Sequence, residues 1–107
     1  MSIQLSGEYR QVPDRELSRA IIVKNKLGLH ARAAAVFVRL SCKYSSDIKL
    51  VMDGYEVDGK SILGVLSLAA IKGSELQVIT RGSDAEKALK DIEELIENGF
   101  GEGVDES

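Results

Sequence analysis

His30 is the only histidine of the chain, and it stands in the segment Gly28-Leu29-His30-Ala31-Arg32. A glycine-containing loop precedes it and an alanine-rich helical segment opens at Ala31, so the imidazole occupies or adjoins a helix N-cap. The first N–H groups of a helix have no partner within it, and with the macrodipole they form a ready anion site. Arg32 adds a permanent cation whose planar fork matches phosphate geometry. The same positive helix end disfavours a cationic imidazole, so a neutral, nucleophilic ring is expected near pH 7. Together these parts suit the acceptance of a phosphoryl group on a ring nitrogen, its oxygens steadied by the backbone N–H groups of Ala31 and Arg32. The plainer alternative is a histidine that only caps a helix or decorates the surface. No second histidine, cysteine cluster or evident acid partner marks a metal site or a catalytic triad.

The elements that must position these groups follow from periodicity. Ser18 to Val23 is a short apolar run with β-branched residues and predicts a strand. Asn25 to Gly28 makes a loop. Ala31 to Cys42 places Ala34, Phe37, Val38 and Ser41 at helical spacing. Asp47 to Met52 and Tyr55 to Asp58 read as strands joined by Asp53-Gly54, a two-residue hairpin signal. Ser61 caps a short apolar helix through Leu68. Lys72-Gly73-Ser74 turns into a fourth strand, Glu75 to Thr80. Ser83-Asp84-Ala85-Glu86 has capping-box spacing. The helix after it lines up Ala85, Ala88, Leu89, Ile92, Leu95 and Ile96, and Gly99 stops it. The order β-α-β-β-α-β-α, with the helices on one side of the sheet, gives a two-layer α+β sandwich.

A chain of 107 residues with this pattern is one domain. The domain is expected over 17–102, after a flexible N-terminal extension over 1–16 that contains the only proline, Pro13. Gly101 to Ser107 read as frayed, with the C-terminal end proper at 103–107. No apolar stretch approaches the ~20 residues of a membrane helix. The N-terminus has no signal-peptide pattern, and a single cysteine forms no internal disulfide, so the cytosol is the expected compartment. The net charge of −3 argues against general nucleic-acid binding. Charge is unevenly placed. From Arg19 to Lys49 there are seven Lys and Arg against Asp47 alone, whereas from Asp84 onward nine acids stand against Lys87 and Lys90. Solvated surface charge is the plain reading; a basic docking face for an acidic or phosphorylated partner is the sharper one.

The segment from Gly28 to Arg32 resembles the phosphorylation-site motif of HPr, the histidine-containing phosphocarrier of the phosphoenolpyruvate-dependent sugar phosphotransferase system. Lys60-Ser61-Ile62-Leu63-Gly64-Val65-Leu66-Ser67-Leu68-Ala69 resembles that family's second signature, at a fitting separation. The resemblance covers roughly Leu17 to Glu102. It implies an HPr-like open-faced β-sandwich, a four-stranded antiparallel sheet covered on one face by three helices. It implies that His30 takes the phosphoryl group on Nδ1 beside Arg32, and that Ser61 is the serine that an HPr kinase/phosphorylase modifies in many members. It also implies that Ile62, Leu63 and Leu66 dock enzyme I and enzyme IIA-type acceptor domains. No cofactor, metal, nucleic acid or membrane enters this reading. The protein is expected to act as a monomeric carrier of phosphate rather than as a stand-alone catalyst. Two features depart from the pattern: Ala33 replaces the usual proline after the motif arginine, and 1–16 has no counterpart in typical short members. The branch served is sugar transport, a nitrogen-related system or regulation alone.

Other residues weigh less. Cys42 is expected in the core, and Ser41 and Ser67 as small packing residues. Asp53, Glu56 and Asp58 match no metal loop. Val65 and Leu68 are expected to face inward while Ile62, Leu63 and Leu66 reach solvent. A small α+β module binding RNA or another ligand would need aromatic residues on its strands, and only Tyr55 is offered. An enzyme with His30 as general base lacks a second group.

Overall fold

The computed structural model describes residues 15–102. Its elements are β1 (Glu16–Ile22), α1 (Ala31–Ser41), β2 (Asp47–Met52), β3 (Tyr55–Asp58), α2 (Ile62–Ser67), β4 (Glu75–Arg81) and α3 (Ala85–Glu97). The strands form one antiparallel sheet in the order β1-β4-β2-β3. This is the expected open-faced sandwich. Alternation builds it: in β4, Leu76, Val78 and Thr80 are buried beneath the helices, while Glu75, Gln77 and Arg81 are exposed. Ile48 and Leu50 of β2 join the same core. The helices supply the other half through Phe37 of α1, Val65 of α2, and Ala88, Ile92 and Ile96 of α3. The hairpin between β2 and β3 pairs Met52 with Tyr55 across Asp53 and Gly54, both with positive φ, as a type I′ turn requires.

Several expectations need correction. Strand β1 starts at Glu16, paired with Arg81, rather than at Ser18. It ends at Ile22, and Val23 remains buried, with its N–H donating to the Ser74 carbonyl. Cys42 is the exposed C-cap of α1, not a core residue. The helical stripe turns inward at Ser41, which is fully buried as a small packing residue should be. Ser67 is exposed, and its hydroxyl donates to the Gly64 carbonyl. The basic run is also less bare than the sequence suggests. Arg19 pairs with Glu93 at 3.1 Å, Lys24 with Glu97, and Lys49 with Glu56 at 3.1 Å. The acidic α3 thus lies against part of the basic segment and offsets its field. The extension expected over 1–16 lies outside the described residues as far as residue 14, as does the end at 103–107.

The capping box at Ser83–Glu86 does not form. Asp84 is the N-cap of α3, yet its side chain makes no cap bond. Its carboxylate instead accepts from the N–H groups of Ser45 and Ser46, both at 3.0 Å, and from their hydroxyls. A tertiary site with four donors outcompetes the local one. The Ser46 hydroxyl, then the Ser45 N–H, lead the donors that outweigh burial and hold this carboxyl at about 2, below the usual 3.8. A folded-state value below the unfolded one means stabilisation that is present above about pH 4 and lost as pH falls toward 2. Asp84→Asn is expected to cost about 1–2 kcal/mol at neutral pH. Urea unfolding of both proteins should show the gap closing across that acidic window; a gap independent of pH would exclude the charge as its source.

Candidate functional site

The site is assembled from three stretches of chain. The first is the turn from Asn25 to Gly28. The Gly28 N–H donates to the Asn25 carbonyl at 3.2 Å, and Asn25 Nδ2 returns a bond to the Gly28 carbonyl at 2.9 Å. Gly28 has φ +66° and lies flat against the backbone of Ala70 and Ile71. The next N–H, of Leu29, donates to the Ala70 carbonyl at 2.9 Å. His30 leaves this clamp in an extended conformation, φ −77° and ψ −179°, as the N-cap of α1.

The imidazole, on the second stretch, makes no cap bond. Its Nε2 is instead hydrogen-bonded to Oε2 of Glu102, an acid partner that sequence reading missed. Asn25 Nδ2 donates to the other oxygen, Oε1, at 2.9 Å, and Arg32 Nε stands 3.9 Å from Oε2. Asn25 is itself 1% exposed, so the brace is part of the core rather than of the surface. Burial pushes the Glu102 carboxyl up, but bonds from Asn25 and His30 and the Arg32 charge outweigh it and leave it below its ordinary value. Glu102 is therefore a carboxylate at neutral pH. A carboxylate only accepts hydrogen bonds, so Nε2 carries the hydrogen.

The third stretch is the tail that delivers Glu102. Helix α3 ends with the Gly99 N–H donating to the Ile96 carbonyl at 3.1 Å and the Phe100 N–H donating to the Leu95 carbonyl at 2.8 Å, the paired bonds of a Schellman close. Gly99, Phe100 and Gly101 all have positive φ, which reverses the chain, and Phe100 is 2% exposed in the core. Gly101 and Glu102 are therefore fixed, not frayed. A sequence signal existed: an aromatic residue between two glycines just past a helix can anchor the turn that follows.

Ser61 is the N-cap of α2, and its Oγ accepts from the Gly64 N–H at 3.0 Å. Val65 and Leu68 face inward, and Ile62 and Leu63 face outward, as expected; Leu63 is 80% exposed. Leu66 does not follow them, because it is partly buried against the core. In the loops that clamp the site, Leu27 beside Gly28 and Ile71 beside Ala70 are exposed apolar residues that went unforeseen. Ala33, in the place of the family's usual proline, is fully buried in the first turn of α1. Among the described residues no group of three or more His, Cys, Asp or Glu is placed to hold a metal ion.

Residues 17–98 match the family model of the PTS HPr component phosphorylation site. The chain is 45% identical over 87 residues to the phosphocarrier protein HPr of Cupriavidus necator, covering 81% of this chain and 98% of that one. It is 46% identical over 84 residues to the HPr of Pseudomonas aeruginosa, covering 78% and 93%. The structure resembles that of HPr-C-His from Thermoanaerobacter tengcongensis, with a TM-score of 0.79 and 42% identity over 82% of this chain and 99% of that one. A lone imidazole at a helix start, carried on this sandwich and matched by the family model over residues 17–98, makes the chain a member of the HPr phosphocarrier family of the phosphotransferase system.

Proposed function

We propose that His30 accepts a phosphoryl group on Nδ1 from phosphorylated enzyme I, ultimately from phosphoenolpyruvate, and passes it to an enzyme IIA-type domain in the cytosol. The observation that carries this is an N-cap histidine whose side chain does not cap. Its ring nitrogen is left for chemistry at the positive end of an eleven-residue helix. The N–H groups of Ala31 and Arg32 and the Arg32 guanidinium, 75% exposed, supply charge for the incoming oxygens. Incubation with enzyme I and phosphoenolpyruvate should add the mass of one phosphoryl group to the intact protein. A mass unchanged under conditions that charge another HPr would refute the reading. Which branch receives the phosphate, sugar transport, a nitrogen-related system or regulation, is decided by testing acceptor domains one by one.

The docking face in this proposal is Ile62 and Leu63, with Leu66 contributing an edge. Exposed apolar groups beside a reactive site fit a partner surface. Ser61 is its regulatory point: a phosphate at this N-cap would set ≈ −1.5 to −2 charges against the apolar patch. Leu63→Glu should leave the melting temperature nearly unchanged, since the side chain is solvated, and weaken enzyme I binding by about tenfold or more. Ser61→Asp should slow transfer to His30 with equal or higher melting temperature. Titration calorimetry and transfer kinetics test both. A Leu63→Glu protein that binds normally would move the interface elsewhere, and an unaltered rate in Ser61→Asp would leave Ser61 as a cap alone.

A further inference from the structure

We infer that Glu102, braced by Asn25, is a positioning residue for the proposed phosphoryl transfer: it holds His30 in the Nε2–H tautomer and balances the charge that the ring acquires. The inference rests on the phosphocarrier reading and names a residue of the same site. The geometry supplies three facts. Glu102 Oε2 bonds Nε2, Asn25 Nδ2 bonds Oε1 at 2.9 Å, and the tail turn fixes the backbone that carries the carboxylate. The His30 and Glu102 side chains are 26% and 21% exposed, so water competes only in part.

The neutral imidazole has one N–H and one lone pair. With the hydrogen held at Nε2 by a carboxylate, the lone pair sits at Nδ1 without any proton having to leave first. In the step itself the Nδ1 lone pair forms the bond to phosphorus. The bond from phosphorus to the donor breaks, and its electron pair stays with the donor. No proton moves. The ring gains positive charge as the bond forms, and that charge is shared to Nε2–H, directly facing Glu102. The interaction is therefore stronger in the transition state than before it, which is the condition for raising a rate rather than only a binding constant. On the return transfer the Nε2–H bond remains but its added charge attraction is lost as the ring becomes neutral again, so Glu102 also lengthens the life of the phosphorylated form. The sequence separates His30 from its partner by 72 positions, so a chain cut before the tail turn would keep the imidazole and lose its orientation.

The test uses the full chain. Nitrogen-15 spectra of the imidazole identify the tautomer, and rapid-quench kinetics with phosphorylated enzyme I give the transfer rate and the half-saturating donor concentration. Wild type should show a protonated Nε2 and an unprotonated Nδ1. Glu102→Ala should give a mixture of tautomers and a transfer rate lower by about tenfold, with half-saturation unchanged. In Glu102→Gln the amide oxygen can still accept from Nε2–H, so the tautomer should be retained while a rate deficit persists. Amide spectra establish that each variant is folded. A wild-type tautomer balance and rate in Glu102→Ala would overturn the inference, as would a protonated Nδ1 in wild type. Failure of wild type to accept phosphate would instead refute the phosphocarrier reading, while the nitrogen spectra would still decide the tautomer.

Discussion

Replacing His30 by alanine is expected to abolish phosphoryl uptake from enzyme I while leaving the fold in place. The wild-type adduct should be a phosphoramidate, labile to acid and stable to alkali, and it should vanish in the variant. The loss should be complete because no other histidine exists in the chain. The fold should survive because the imidazole does not cap α1 and is only partly buried. The helix start is held by backbone bonds that alanine keeps: the Ala34 N–H to the His30 carbonyl at 2.8 Å and the Leu29 N–H to the Ala70 carbonyl at 2.9 Å. What is lost is the bond to Glu102, on the order of 1 kcal/mol at a partly solvated site. Intact mass and thermal unfolding, measured on the same sample, separate the two effects. Phosphate uptake at the wild-type level in His30→Ala would remove His30 from the mechanism.

Gly28→Ala is expected to do the reverse, damaging the fold first and the chemistry through it. A Cβ at Gly28 would lie 2.4 Å from the Ala70 carbonyl oxygen and 2.9 Å from the Ile71 Cα. Both are backbone atoms, so neither can swing aside as a side chain would. The left-handed φ adds its own cost for a residue with a Cβ. Overpacking and backbone strain together suggest a loss of about 3 kcal/mol. The Ala70 carbonyl that must retreat is the one that receives the Leu29 N–H, so His30 should be displaced as well. Denaturant unfolding should report the stability loss, and transfer kinetics on the folded fraction should show a slower rate. A variant as stable as wild type would show that the turn from Asn25 to Gly28 can relax without disturbing the 70–71 loop.

Local chemistry made most of the architecture legible. Asp53-Gly54 specified its own turn and with it the hairpin of β2 and β3, the Lys72-Gly73-Ser74 turn marked the start of β4, and the stripe from Ala85 to Ile96 marked the buried face of α3. In each case neighbours within a few residues decide the conformation. The site was legible only in its local half. His30, Arg32 and the helix start lie within a few positions of one another, so their juxtaposition could be read. Glu102 lies far along the chain, and its approach depends on the burial of Phe100 and on three successive residues of positive φ. Asp84 failed for a related reason: its spacing fitted a cap, but four donors from Ser45 and Ser46 made a distant pairing stronger. Leu66 shows the limit of a single helical turn or two. In so short a helix, one residue more or less of rotation decides between core and surface.

The pairing of β1 with β4 governs when the protein can come into being during synthesis. Glu16 pairs with Arg81 and Ile22 with Glu75, so the first of the described strands finds its partner among the last described elements translated. Among the described strands β1 has no neighbour until Glu75–Arg81 has left the ribosome, since β4 separates it from β2 in the sheet. A nascent chain can form α1 and the β2–β3 hairpin early, because their contacts are local. At about 5–20 residues per second, most of the translation time passes with the sheet unclosed. Closure itself carries the loop entropy of a long-range contact. The last piece is Glu102, which reaches His30 only after α3 has docked and its C-terminal turn has formed. Nascent chains stalled at increasing length should acquire protease resistance abruptly, once α3 is free of the exit tunnel, rather than in stages.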